Sequence, residues 1–462
     1  MSYQKKILFL VPDGVGVKNY LYSKVISYLK QTNVKIVIWS PLPEAMFKEV
    51  SELHQVEIDY KKIKLHSESV LTRFYREATT YARLLRNSKL KQNPTILSNW
   101  KLPDKNMKLK ALYLAAMLLG RYLAKDYNRI LAFEAKSKKF WSKKIIGNYR
   151  AELDSLQPHS IFITHQRVAN LMPICLAAKT LKIKVVSAIF SWDNLPKARL
   201  CIDANIYLVW SEWMKNEMAD YYPEIPKEQV KLVGTPQFEF YLDGSQKLDR
   251  AVFAKQYGLD PNKQWVCFSG DDVKTSPFDA LYFNDVVEAL KPYNDTIQII
   301  FRRCPVDFSD RYDEVINSNK GFVFAIDPLW HIPEGAWTGY VSKYEDVSMQ
   351  VNLALHCDVV VNLGSTMAHD FTMYGKPCLY LKYNPVFDAN WSVERIYQFQ
   401  HFRSMGDLDA VGWILNRESI ATQVLKAIQY PNEIGRQRKV WMEKIVLHPI
   451  KNNSELIAKE IL

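Results

Sequence analysis

Short apolar runs alternate with helix-like stretches over most of this chain, and no other feature narrows its fold as far. "KILFLVP" comes first, then a Gly-containing loop, an expected helix from about Asn19 to Leu29, and the strand "VKIVIW". The pattern resumes with "SIFIT" (Ser160–Thr164), a helix through "ANLMPICLAAKTL" and the strand "IKVVSAIF". It continues through "NIYLVW", the helix "SEWMKNEMADYY" and the strand "VKLVG". Such alternation argues for parallel sheet with helices on both faces. A polar stretch from about Gln237 to Arg250 reads as a linker, and a second alternating set follows. That set is "QWVCFSG", a helix from about Ser276 to Leu290, "TIQIIFR", a helix near Asp310 to Ile316, "FVFAI" and "CDVVVNLGSTMAHDFTMYGKPCLYL".

The expected architecture is therefore α/β, two doubly wound Rossmann-like domains facing a cleft. The boundaries read as 1–240 and 241–440, with a basic helical insertion over 61–150 in the first domain. A helical tail, 441–462, is free to pack back on that domain. The length of 462 residues suits two or three domains, and 48% hydrophobic residues against 24% charged supply cores for them.

Composition also narrows function. The six cysteines are scattered with no C-x-x-C pair, which fits buried reduced thiols and a cytoplasmic setting. The nine histidines show no H-E-x-x-H or comparable spacing, so no metal or cofactor is implied. The first apolar run is too short for a signal peptide, being interrupted by Pro12, Asp13 and Gly14. The run Ala111–Gly120 is about half a bilayer-spanning length. Net charge is +12, but residues 61–150 carry 22 Lys/Arg against 5 Asp/Glu, so the remainder is slightly acidic. That segment is either a solvated helical surface or a face for an anionic membrane, an anionic acceptor or nucleic acid. No nucleic-acid-binding module is recognisable, so nucleic acid is not an expected partner.

Open parallel sheets bind ligands beyond the C-terminal ends of their strands. Several loops sit at such ends. In "VPDGVGVKN", Gly14 and Gly16 allow close backbone approach and Asp13 is a candidate base; the spacing is not G-x-G-x-x-G, which disfavours a nicotinamide site. "ITHQR" puts His165, a residue suited to proton transfer, at a strand end. "SWDNLPKARL" offers Asp193 and Asn194 as acceptor-binding groups, although turn formation explains them equally well. "FSGDDVKTSP" presents Gly270 in a possible phosphate loop, followed by two aspartates that make a poor metal site alone. "IIFRRCP" ends a strand with Arg302 and Arg303, two guanidiniums suited to phosphate. In the last strand-turn-helix, Gly364 permits a tight turn, Ser365 or Thr366 caps the helix, and Gly375 ends it. His369 and Asp370 stand mid-helix among apolar neighbours, the histidine either facing the cleft or sitting in the core.

Taken together, "PDGVG" in the first half and Ser365, Thr366, Asp370 and Gly375-Lys376-Pro377 in the second resemble glycosyltransferases of the GT-B fold. The likeness is nearest to bacterial surface-polysaccharide enzymes and CDP-glycerol glycerophosphotransferase relatives. "SWDNL" and "VKLVGTPQFEF" resemble their segments before the linker. Where those relatives carry a His-Pro pair, this chain has Arg303-Cys304-Pro305. The resemblance implies a nucleotide-sugar donor on the second half, held by Gly270, Arg302, Arg303, Gly364, Ser365, Thr366 and Asp370. A glycan or lipid-linked acceptor would lie on the first half against Gly14, Gly16, Asp193 and Asn194. Asp13 or His165 would be the catalytic base, and the enzyme would work at the inner face of the membrane. Alternatives on the same architecture are glycerophosphate transfer or sugar-nucleotide 2-epimerisation; more remote ones are a catalytically silent partner subunit and a non-catalytic nucleic-acid binder using the basic helices.

Overall fold

The computed structural model describes residues 5–331 and 340–462. The chain divides into two compact units. The first comprises 1–236, 399–401 and 445–462, and the second 237–398 and 402–444.

The first unit is built on a seven-stranded sheet: β1 (Lys6–Leu10), β2 (Lys35–Ser40), β3 (Ile58–Lys62), β4 (Ser160–Ile163), β5 (Lys184–Ala188), β6 (Ile206–Val209) and β7 (Val230–Leu232). The order is β3-β2-β1-β4-β5-β6-β7, with every neighbouring pair parallel. The winding direction reverses between β1 and β4, which run in register from Ile7 against Ser160 to Leu10 against Ile163. Leu8, Leu10, Ile161 and Ile163 are fully or almost fully buried in one apolar cluster, as a sheet covered on both faces requires.

The helix expected from Asn19 to Leu29 is divided in two. A wide π-helical turn, Val17–Leu21, is followed by a separate helix, Lys24–Gln31. Ser23 separates them: its hydroxyl donates to the Tyr20 carbonyl and accepts from the Val25 N–H, so it caps the second helix.

The insertion is helical, with Val70–Leu90, Met107–Leu123, Tyr127–Lys139 and Lys143–Leu156. It is joined to the sheet by charge as well as by apolar contact. Arg83 is 2% exposed and uses all five of its N–H donors. They reach both oxygens of Glu134 (2.5 and 2.8 Å), Glu224 (2.6 Å), the Tyr127 hydroxyl (2.7 Å) and the Tyr221 carbonyl (3.0 Å). Glu77, also buried, takes Arg76 at 2.7 Å and both terminal nitrogens of Arg199 at 3.1 Å. The polar cavity of about 220 Å³ beside these groups has its arginines already paired with its glutamates, so packing explains it.

The second unit carries a six-stranded parallel sheet: β8 (Gln264–Ser269), β9 (Ile297–Arg302), β10 (Val323–Ala325), β13 (Val359–Asn362), β14 (Cys378–Leu381) and β15 (Gly412–Ile414). Its order is β10-β9-β8-β13-β14-β15, so the reversal falls between β8 and β13. The two-residue strands β11 (Trp330–His331) and β12 (Val341–Ser342) pair antiparallel. The chain ends in the helices Arg438–Ile445 and Asn453–Ile461. All six cysteines are free, and five are buried.

Arg83→Lys keeps a charge but loses the planar fork. It is expected to cost about 3 kcal/mol, the scale for breaking a buried ion pair. Thermal unfolding should show the loss, with limited proteolysis cutting the Val70–Leu156 region first.

Candidate active site

In each unit, two of the loops singled out from sequence leave the strands that flank the winding reversal. In the first unit these are the exits of β1 and β4. Asp13, three residues beyond β1, caps the short turn Gly14–Gly16 by accepting the Gly16 N–H at 3.1 Å on Oδ1. Its Oδ2 is hydrogen-bonded to Nδ1 of His165, two residues beyond β4. Asp13 is 1% exposed and His165 3%. The imidazole packs against Phe190, ring centroids 4.3 Å apart, and its Nε2 is buried with no hydrogen-bond partner. Buried polar atoms are rarely left so. The two candidates for the base are thus one unit, with the carboxylate orienting the ring.

The glycines beside them have packing reasons. A Cβ on Gly16 would lie 2.3 Å from the Thr164 hydroxyl, so only glycine lets the β1 loop close onto the end of β4. Gly14 is buried in the same turn. Tyr20 lies against Phe162, and burial together with the Asp13 charge pushes its phenol well up.

Asp193 and Asn194 belong to the same strand-end layer. Asn194 accepts from Gln166 (3.2 Å) and donates to Asp193 (2.8 Å), while Gln166 accepts the Phe190 N–H at 3.0 Å. Burial raises the Asp193 carboxyl, but Lys197 and then His401 outweigh it, leaving Asp193 well below the ordinary carboxylate range. His401 is itself lowered to about 4, by burial opposed by Asp193. Arg167, two residues beyond His165, escaped the sequence reading. Its Nε is buried without a partner, and burial lowers its pKa while Asp193 raises it.

In the second unit the corresponding exits are those of β8 and β13. Gly270 continues the ladder by donating to the Arg302 carbonyl at 2.9 Å, and a Cβ there would meet the Tyr312 hydroxyl at 3.1 Å. Beyond it, Asp279 accepts the Asp271 N–H (2.9 Å), Tyr312 (2.7 Å) and Ser276 (2.9 Å). Burial and then the neighbouring Asp279 and Asp272 push the Asp271 carboxyl well above its usual range. At the β13 exit, Gly364 has φ +77° and Phe402 pressed against it, where a Cβ would stand 2.7 Å from the ring. The Ser365 hydroxyl accepts the Met367 N–H at 3.3 Å, and Thr366 is exposed.

Three residues grouped with that loop from sequence are committed elsewhere. Arg302, 6% exposed, pairs with Asp346 at 2.8 Å, because a guanidinium so buried needs a counter-charge. Arg303 spans Asp313 (3.1 Å), Asp327 (3.3 Å) and the Ser309 carbonyl (2.6 Å). Asp370 faces Gln350 at 3.3 Å and accepts from Tyr241, so it holds the segment leading out of the linker. His369 is 1% exposed and lies against Trp441 at 4.4 Å, and burial lowers it to about 3, which identifies a neutral core histidine. Among the described residues no group of three or more His, Cys, Asp or Glu side chains is arranged to hold a metal.

No family model matches the chain, and no curated protein matches it. Solved structures do. UDP-GlcNAc 2-epimerase from Neisseria meningitidis, bound to UDP-GlcNAc, aligns over 99% of both chains with a TM-score of 0.52 and 14% identity. The S. aureus MnaA–UDP structure aligns over 99% of this chain and 96% of its own, with a TM-score of 0.55 and 10% identity. A glycosyltransferase from Rickettsia africae covers 99% of both, with a TM-score of 0.52 and 11% identity. The fold is GT-B. The two reversals, β1/β4 and β8/β13, are the positions at which open parallel sheets generally bind their ligands.

One buried acid stands in the helix Glu212–Tyr221, which follows β6. Glu217, 2% exposed, has no well-formed hydrogen bond, and burial raises it to about 8 despite Lys91, Trp213 and Gln400 nearby.

Two outcomes follow for stability. Asp346→Ala strands the Arg302 charge and should cost the second unit about 3–5 kcal/mol, read by thermal unfolding. Glu217 keeps its proton longer folded than unfolded, so its contribution is whole below about pH 4.5 and falls until about pH 8. Glu217→Gln should flatten that part of the decline, by on the order of a few kcal/mol at pH 8. Stability curves that stay parallel from pH 4.5 to 8 would contradict the assignment.

Proposed function

We propose that the protein is an enzyme acting on a nucleoside-diphosphate sugar, with His165 as its general base and Asp13 as the group that orients it. The observation that carries this reading is the buried Asp13–His165 pair at the β1/β4 reversal, with Nε2 unsatisfied. A carboxylate on Nδ1 fixes the tautomer that leaves Nε2 basic, and it stabilises the imidazolium formed when a proton arrives. The sugar-nucleotide assignment draws support from fold neighbours bound to UDP-GlcNAc and to UDP. The donor phosphates would lie against Gly270 and the Gly364–Thr366 turn, meeting the Ser365 and Thr366 hydroxyls.

Two reactions need such a base. In 2-epimerisation it removes the sugar C2 proton while the C1–O bond to the nucleoside diphosphate breaks. A proton delivered to the other face of C2 as the diphosphate re-adds at C1 then inverts that centre, a reaction favoured by the several 2-epimerases among the fold neighbours. In transfer it removes the proton of an acceptor hydroxyl on a glycan or lipid-linked sugar as that oxygen bonds to the sugar C1 and the nucleoside diphosphate leaves. That second reading rests on the strand-turn-helix resemblance in the second half and on the Rickettsia glycosyltransferase.

Incubation with UDP-GlcNAc in D2O without acceptor separates them. Deuterium at C2 and a 2-epimer identify the epimerase; turnover only with added glycan identifies the transferase. A nucleotide bound at about a hundred times its dissociation constant stabilises by about 2.7 kcal/mol, so no thermal shift with any nucleoside diphosphate or its sugars would overturn both. His165→Ala should lower turnover by about 10²–10⁴-fold with nucleotide binding kept. Asp13→Asn should reduce turnover through the wrong tautomer, again with little effect on binding.

A further inference from the structure

The helix Met107–Leu123 is apolar on two opposite faces. One face is buried: Ala116, Gly120 and Leu123 pack on the helix Val70–Leu90, so closely that a Cβ on Gly120 would stand 2.7 Å from the Ala78 carbonyl. The opposite face should be polar on a helix surrounded by water. Instead it presents Met107 (74% exposed), Leu114 (39%), Leu118 (63%) and Tyr122 (51%), with Ala111 and Ala115 between them. The spacing of four, three, four and four through positions 107, 111, 114, 118 and 122 makes one continuous stripe.

Charge borders that stripe. The helix contains Lys108, Lys110 and Arg121 and no acidic residue; just beyond its ends lie Lys101, Lys105 and Lys125, with Asp104 and Asp126 among them. Around the helix axis Lys108 falls on one side of the stripe, and Lys110 and Arg121 on the other. An apolar stripe between cationic edges matches an anionic bilayer surface, in which apolar side chains enter the acyl boundary and Lys/Arg stay among the headgroups. A second copy of this chain is a poorer partner, since two such cationic borders would repel. Among the described residues no helix is long and apolar enough to cross a membrane, so the helix would lie on the surface.

We propose that the outer face of the helix Met107–Leu123 docks the protein on anionic lipid bilayers. This inference stands apart from the reaction assigned above and survives its failure.

The test is sedimentation of the full chain with vesicles of phosphatidylcholine alone or with about one-third phosphatidylglycerol, at low and high salt. Binding is expected only with the anionic lipid and should weaken as salt rises. Leu114→Ser/Leu118→Ser/Tyr122→Ser should lower partitioning at least about tenfold with unfolding unchanged, because these side chains are solvent-exposed in the free protein. Each of Lys108→Gln, Lys110→Gln and Arg121→Gln should lower it about fivefold. Leu118→Trp supplies an independent readout, since its fluorescence should shift blue on anionic vesicles and be quenched by brominated acyl chains. The proposal is overturned by no binding at low salt, by equal binding to neutral vesicles, or by the triple serine variant binding like wild type. It is also overturned if that variant changes oligomeric state and leaves vesicle binding intact.

Discussion

A parallel sheet covered on both faces leaves polar chemistry little room except at its strand ends, and that constraint organises both halves of this molecule. The strands β1, β4, β8 and β13 are almost wholly apolar and buried, so reactive groups can stand only in the loops that leave them. Where the winding reverses, two such loops part and their side chains can converge. Asp13 and His165 do so in the first unit. Their contact depends on Gly16, because any larger residue would collide with Thr164 and hold the β1 loop away from β4.

Buried charge does comparable work in the insertion. The excess of Lys and Arg over 61–150 reads from sequence as one cationic surface. The structure divides it into two populations with different roles. Arg76 and Arg83 face inward and are neutralised by glutamates, including Glu224 from the sheet-bearing part of the unit. Lys101, Lys105, Lys108, Arg121 and Lys125 face outward. Inward arginines suit the first role, because a guanidinium satisfies several carboxylates from one rigid plane. Outward lysines suit the second, as strongly hydrated charges on flexible stems.

Much of the fold was legible because continuous apolar runs and the helices between them are local signals. The loops that leave the reversing strands were legible for the same reason. What joins those loops was not. Asp13 and His165 are 152 residues apart, and nothing in the spacing of either shows that β1 and β4 are neighbours. The two arginines after β9 illustrate the converse. Their position at a strand end suggested phosphate, but Arg302 turns inward to Asp346, which lies 44 residues further along. His369 was undecided from sequence because its helix also carries Asp370; packing against Trp441 and complete burial settle it as core. The stripe on Met107–Leu123 was visible only as an apolar run, since a sequence does not say which of two apolar faces is covered.

The proposed base and the proposed docking helix belong to the same unit, and this gives the transfer reading a physical form that the epimerase reading lacks. An epimerase converts its soluble substrate in place and gains nothing from a bilayer. A transferase whose acceptor is anchored to lipid gains a large local concentration of acceptor by lying on the same surface, without any new contact to it. The acceptor would then meet the unit that carries His165 while the donor diffuses in from water. Anionic-lipid docking would thus weigh toward transfer, and deuterium uptake at C2 without acceptor toward epimerisation. If both occur, the apolar stripe serves a purpose other than access to an acceptor.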